Sequence, residues 1–175
     1  MKRVLMLLCA AAMLFAQGAP RRAPGFCLVD TTGNWRDLYD FHGKVVVIEF
    51  MQTTCPHCAA FAPKLAAIQQ KYNGKVQVLS IALPPDNPNS LMDYVKGHNT
   101  PHPLLLDMGQ VAASYVRVPN LHFPHVYLID ADGMIRGTWE EGPLAKDIFE
   151  GNGLSKEIDK LLGAGATPPP APKKK

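Results

Sequence analysis

Three features of the sequence predict an α/β fold. Residues 44–50 form a Val-rich run that after Lys44 is apolar except for Glu49, as in a strand buried on both faces of a sheet. Residues 56–72 then carry Phe61, Leu65, Ile68 and Tyr72 at helical spacing, and residues 76–83 alternate before turning apolar. Strand, helix and strand at this spacing imply a right-handed crossover and parallel pairing. Further on, Asp132-Gly133 joins residues 122–129 to residues 134–139, the signature of an antiparallel hairpin.

Taken in order, residues 19–25 form a Pro-rich, basic, extended lead-in. Phe26, Leu28 and Trp35 flank a Thr32-Gly33-Asn34 turn, which predicts an N-terminal β-hairpin with its first strand near 26–30. Residues 38–41 give a brief helical turn ended by Gly43. After the central strand and helix, Asn73-Gly74 stops the helix. Pro63 lies inside that helix and is expected to kink it, because its ring removes a backbone donor. Residues 84–90 read as a loop, with Ser90 as the N-cap of a helix that runs to about His98. A short strand over 104–106 and a short helix over 109–115 follow. The chain from Pro143 is helical with a break near Gly151-Asn152-Gly153, and Leu154, Ile158, Leu161 and Leu162 make one apolar stripe suited to core packing.

The two ends read differently. Lys2 and Arg3 precede an uncharged apolar run over 4–15, and Ala16-Gln17-Gly18 offers small residues for cleavage. This is the layout of a secretory signal peptide over residues 1–18. The run is short against the roughly 20 apolar residues of a membrane span, although a retained anchor is the alternative reading. Residues 19–163 form the folded domain, and 164–175 an Ala/Pro-rich, lysine-ended tail. Of 175 residues, 47% are hydrophobic and 19% charged, which suits a globular domain. The formal charge of +3 is carried by Lys2, Arg3 and the terminal lysines, so it argues for no nucleic-acid surface. Export would place the chain in the periplasm or outside the cell, where disulfides persist. Cys9 would leave with the signal, so Cys27, Cys55 and Cys58 remain. Cys27 is expected to be a buried free thiol packed as a small hydrophobe, with pairing to another chain as the alternative.

Cys55-Pro56-His57-Cys58, at the junction of strand and helix, reads as a redox pair. Half of a zinc site would need a second ligand pair, and the sequence has no other CxxC. Haem attachment would need His at residue 59, which is Ala. A peroxidatic cysteine would have Thr three residues before it, where Gln52 stands. A thiolate at Cys55 would be favoured by the unpaired N–H groups of the helix N-terminus, and by His57 if charged. Cys58, one turn deeper, would be the resolving thiol. Glu49 breaks an apolar strand six residues before Cys55; a carboxylate buried there would be costly unless paired or protonated, and an edge position facing solvent is the alternative.

From about Ala23 to Leu162 the chain resembles the exported thioredoxin-like disulfide oxidoreductases of the TlpA/ResA kind. The resemblance rests on APGFCLVDTTGNWRDLYDFHGKVVVIEF, TTCPHCAAFAPKL and FPHVYLIDADGMIRGTW, in that order, while the CPHC tetrapeptide is more like that of the DsbA oxidases. It implies a thioredoxin-like fold, a central mixed β-sheet flanked by helices, with the CxxC at the start of a helix. It implies that Cys55 is the nucleophile and that Glu49 handles the proton of Cys58. It also implies that Pro124 is a cis-proline facing the CxxC and that Phe123 helps to set substrate preference. His125 is either a second positive group near the thiols or an edge residue. Thr54 stands where the family usually has Trp.

The activity expected is thiol–disulfide exchange with protein substrates through Cys55 and Cys58, needing no cofactor or metal beyond that pair. The partners expected are protein thiols and disulfides and a separate redox protein that recharges the pair, with membrane association only through an uncleaved N-terminus. The chain is expected to act as a monomer. Two alternatives stand beside this: a reductant for cytochrome c maturation or metal-site assembly, and a copper-binding thioredoxin-like protein.

Overall fold

A computed structural model describes residues 21–116 and 121–163. The expectations of a signal segment over 1–18 and a tail over 164–175 lie outside the described residues. The sheet has five strands in the order β5-β4-β3-β6-β7. At its centre is β3 (Val45–Met51), all seven residues of which are buried. It pairs in parallel with β4 (Val76–Ala82), which pairs in parallel with β5 (Leu104–Leu106). On its other side β3 pairs antiparallel with β6 (His125–Ile129), and β6 with β7 (Ile135–Glu140). The predicted parallel crossover and the Asp132-Gly133 return thus both belong to one mixed sheet. Gly133 takes φ 78° in that return, a left-handed conformation in which a side chain is disfavoured.

The crossover from β3 to β4 is α1 (Pro56–Lys71), which contains Pro63. With α4 (Lys146–Phe149) and α5 (Gly153–Gly163) it covers one face of the sheet, where Val47, Phe61, Leu65, Val126 and Ile158 form a buried cluster. The stripe expected on the last helix packs here, with Leu154 and Ile158 buried and Leu161 and Leu162 partly so. The opposite face carries Val46, Ile48, Phe50, Leu79, Ile81 and Tyr127, joined by Tyr115 of α3 (Gln110–Tyr115). This two-faced burial follows from the two-residue period of the strands.

The helix α2 (Pro88–His98) starts earlier than expected. Asn87, not Ser90, is the N-cap, accepting from the N–H groups of Asn89 and Ser90. Ser90 occupies the third helical position and closes a capping box onto the Asn87 N–H at 3.0 Å. Both residues are good caps; Pro88, suited to the first helical position, decides between them.

The predicted hairpin is β1 (Cys27–Val29) against β2 (Trp35–Asp37). Asp30 holds its turn, accepting from Thr32 N–H at 2.8 Å, Asn34 N–H at 3.0 Å and Arg36 Nε at 2.7 Å. Burial pushes the Asp30 carboxyl up, but the bonds from Thr32, Arg36 and the backbone outweigh it and hold the group at about 2. Beyond the hairpin, Asp30 bridges to Leu105 of β5, and Thr31 N–H donates to the Leu104 carbonyl at 3.1 Å. The lead-in is extended but not free: Ala23 N–H donates to the Gly133 carbonyl at 2.9 Å, and Ile135 N–H to the Arg21 carbonyl at 2.8 Å. Cys27 is exposed rather than buried. Phe26 faces the core, and strand alternation turns the next side chain to solvent.

Candidate active site

The CxxC lies where the buried central strand hands over to α1. Cys55 is the N-cap of that helix in extended conformation, with φ −78° and ψ 117°, and its sulfur accepts the Cys58 N–H at 3.3 Å. Pro56 follows at the first helical position, where a missing N–H costs nothing. Cys55 is half-buried and Cys58 is 0% exposed, so the pair presents one accessible and one enclosed sulfur. Both are free thiols. Burial first, and then the charge of Glu49, push the Cys58 thiol upward.

The loop before Cys55 is held from the next crossover. Asp86 accepts from Thr53 N–H at 2.8 Å, from the Thr53 hydroxyl, and from the Ser90 hydroxyl at 3.0 Å. Gln52 Nε2 donates to the Pro84 carbonyl at 2.7 Å. The Pro84–Pro85 peptide is cis. Sequence alone does not single out Asp86, because Asp-Asn-Pro-Asn reads only as a loop.

Glu49 is 2% exposed on the central strand, so the solvent-facing alternative is excluded. By strand alternation it shares the α1 face with Val47 and Met51, and Met51 packs in one buried cluster with Cys58. Glu49 Oε2 accepts from the Ser80 hydroxyl at 2.6 Å, while Oε1 is buried without a partner among the described residues. Burial pushes the Glu49 carboxyl up to about 8 against the smaller opposing pull of the Ser80 bond. Ser80 is directly opposite Glu49 in the parallel register of β3 and β4. Its oxygen also lies 2.9 Å from His102 Nε2. Burial lowers His102 to about 4. Tyr94 of α2 closes the enclosure, its hydroxyl pushed up by burial and then by Glu49 and Cys58. Sequence reasoning misses Ser80, His102 and Tyr94 alike.

Pro124 comes to the same place from far along the chain. The Phe123–Pro124 peptide is cis, as the resemblance implies, and the Cys55 thiol points at the Phe123 carbonyl at 3.7 Å. The Phe123 side chain is half-buried and, like Cys55, packs against the buried cluster that contains Cys58. The strand β6 begins only after Pro124, which has no N–H for the ladder. His57 is not hydrogen-bonded to either sulfur among the described residues; its exposed ring lies 3.7 Å from Glu141. His125 is buried, stacked on Tyr127 at 4.8 Å and bonded through Nε2 to Thr138 at 3.0 Å. Burial lowers its proton affinity despite Glu140 nearby, and the ring is packed into the sheet rather than presented to the thiols. Thr54 is exposed beside Cys55. Among the described residues no three His, Cys, Asp or Glu side chains gather as a metal site.

Comparison with known proteins places these features in context. The AhpC/TSA family profile matches residues 20–138. A thiol-disulfide oxidoreductase ResA of Bacillus thuringiensis subsp. konkukian is 32% identical over 117 residues, covering 66% of this chain and 65% of the relative, less than two thirds of its length. The thioredoxin-like protein YneN of Bacillus subtilis is 24% identical over 144 residues, covering 81% of this chain and 77% of YneN. Among solved structures, a putative thioredoxin from Neisseria meningitidis superposes with a TM-score of 0.70 at 29% identity, covering 83% of this chain and 93% of that one. A putative thiol:disulfide interchange protein DsbE from Chlorobium tepidum superposes with a TM-score of 0.71 at 25% identity, covering 82% and 97%. The fold is thioredoxin-like, with a mixed sheet flanked by helices and an N-terminal hairpin.

Proposed function

Because the chain belongs to the AhpC/TSA family, we propose that it is an exported thiol–disulfide oxidoreductase acting on protein substrates through Cys55 and Cys58. The observation that carries this reading is the asymmetry of the pair: Cys55 half-exposed at the N-terminus of α1, Cys58 enclosed beside a buried carboxyl. The resemblance to proteins named thiol-disulfide oxidoreductases supports it.

The reaction runs in two exchanges. The Cys55 thiolate, accepting the Cys58 N–H at the N-terminus of α1, attacks one sulfur of a substrate disulfide. A mixed disulfide forms and the other substrate sulfur leaves as a thiolate. Glu49 then takes the proton of Cys58, and the Cys58 thiolate attacks the Cys55 sulfur. The substrate's second sulfur is released and Cys55–Cys58 becomes the disulfide, so two electrons pass from the pair to the substrate. Run backwards, the same steps oxidise a dithiol. Pro124 and Phe123 line the approach to Cys55 and would receive an extended substrate chain, while His57, when protonated, adds positive charge beside the thiols. The protein works in the periplasm or outside the cell. No helix among the described residues is long and apolar enough to cross a membrane.

Cys55→Ser is expected to abolish insulin reduction, and Cys58→Ser to accumulate mixed disulfides with substrate, resolved by mass spectrometry under non-reducing conditions. Full activity in both variants would sink the reading. A reductant serving cytochrome c maturation or metal-site assembly is the second reading, favoured by similarity to ResA and DsbE proteins. A reduction potential of about −270 mV supports that direction, and one of about −120 mV an oxidant.

A further inference from the structure

A row of polar side chains crosses the sheet beneath α1 in an otherwise apolar layer. Glu49 on β3 faces Ser80 on β4 in register, and Ser80 faces His102, just before β5. Glu49 and Ser80 are each 2% exposed and His102 is 5% exposed. Ser80 has two polar neighbours, Glu49 Oε2 at 2.6 Å and His102 Nε2 at 2.9 Å, but its hydroxyl carries only one proton. It can donate to one neighbour and must accept from the other. An ionised Glu49 can only accept, so Ser80 then donates to Oε2; a proton on Oε2 turns that bond round.

We infer that Ser80 and His102 are positioning residues for Glu49: they form a hydrogen-bond chain that reverses direction whenever Glu49 gains or loses its proton, with His102 changing tautomer. When Glu49 is a carboxylate, Ser80 donates to Oε2 and accepts from His102 Nε2–H. When Glu49 is a carboxylic acid, its O–H donates to Ser80, Ser80 donates to Nε2, and the imidazole proton is on Nδ1. The net change is one proton on Glu49. The imidazole stays neutral, losing a proton at Nε2 and gaining one of solvent origin at Nδ1, a buried atom without a partner among the described residues. Burial, which lowers the proton affinity of His102, keeps the imidazolium from forming in between. A buried donor left unpaired costs about 1–3 kcal/mol; the reversal keeps the Glu49 and Ser80 protons paired in both states, while His102 Nδ1 stays without a partner in either. The other groups facing Glu49 are Cys58 from α1 and Tyr94 from α2; β6 contributes the apolar Val126 opposite it.

This rests on the proposed exchange reaction only in giving Glu49 a reason to change protonation in each cycle. The test is nitrogen NMR of the His102 ring in the reduced, folded wild-type protein, followed across the titration of the Glu49 carboxyl carbon. The expected result is a tautomer change, Nε2–H to Nδ1–H as pH falls, with the same inflection as Glu49. Ser80→Ala should separate the two titrations and raise the Glu49 inflection by about one pH unit, having removed the donor to the carboxylate. Ser80→Thr, which keeps the hydroxyl, should restore both. A His102 tautomer that stays constant while wild-type Glu49 titrates overturns the inference, and no variant needs to fold for that result. Insulin reduction measured on the same wild-type sample separates the two claims: its absence would undo the oxidoreductase reading and leave the tautomer result standing.

Discussion

Glu49 is the residue on which charge, burial and the proposed reaction meet. Its carboxyl is enclosed on the central strand and carries its proton up to about 8. In the role proposed for it, as base to Cys58, it must be ionised, so the rate at which Cys58 resolves a mixed disulfide should rise with pH through that region. Glu49→Gln keeps the shape and an acceptor for Ser80 but cannot take a proton. We expect it to slow resolution by about a hundredfold and to remove the inflection, since general base catalysis contributes roughly 10²–10⁴-fold. Single-turnover stopped-flow measurements over pH check this, and an unchanged profile would refute the role. Much of the site at this scale is legible in the sequence, because a lone acid in a Val-rich run and a CxxC at a strand-to-helix junction are departures from local pattern. Ser80 and His102 are not. A serine in an alternating strand and a histidine between two prolines look ordinary, and only the parallel register brings Ser80 to Glu49 across 31 residues of chain. The face of Cys27 is illegible for a related reason: in a three-residue strand, alternation cannot be phased until the inward residue is known.

At the scale of elements, two crossover loops hold the reactive helix in place. The loop from β3 into α1 is fastened at Thr53 to Asp86, in the loop from β4 into α2, and Asp86 is fastened in turn to Ser90 in the first turn of α2. Asp86 thus couples the N-termini of both helices. Asp86→Ala would leave the Thr53 N–H without its acceptor and is expected to destabilise the fold by about 2 kcal/mol. It should also slow the first attack by Cys55 more than the resolution step, because it frees the loop that aims Cys55. Denaturant unfolding and single-turnover rates of the two steps test this; equal slowing of both would show that the loop does not aim Cys55. Strands and helices are readable from periodicity because β3, α1 and β4 each bury one continuous pattern. The start of α2 is harder to place because Asn87 and Ser90 are both competent caps, and their cooperation shows only in the hydrogen bonds.

For the whole molecule, the buried titratable groups set how stability depends on pH. Glu49 binds its proton more tightly folded than unfolded, so its contribution is full below the unfolded value of 4.5 and is lost as pH rises through about 8. His102 is held neutral when folded, so its contribution is full above 6.5 and is lost as pH falls through about 4. Asp30 adds stability present above 3.8 and lost as pH falls towards about 2. Between 4.5 and 6.5 the slopes from Glu49 and His102 oppose each other. The thermal midpoint should therefore be nearly flat there and fall on either side. Glu49→Gln should tilt the plateau, leaving stability to rise from about pH 4 to 6.5 and then stay level. Calorimetry over this range decides it, and a Glu49→Gln curve parallel to wild type would count against a buried, proton-holding Glu49.

The N-terminal hairpin and its lead-in have one more consequence. Residues 21–23 pair with the start of β7, while Asp30 and Thr31 pair with β5 at the other side of the sheet. One short stretch of chain thus occupies backbone groups on both outermost strands, which would otherwise be templates for lateral association with another copy. The same residues that read as a preamble to the fold act as its selvedge, covering the start of β7 on one side and part of β5 on the other.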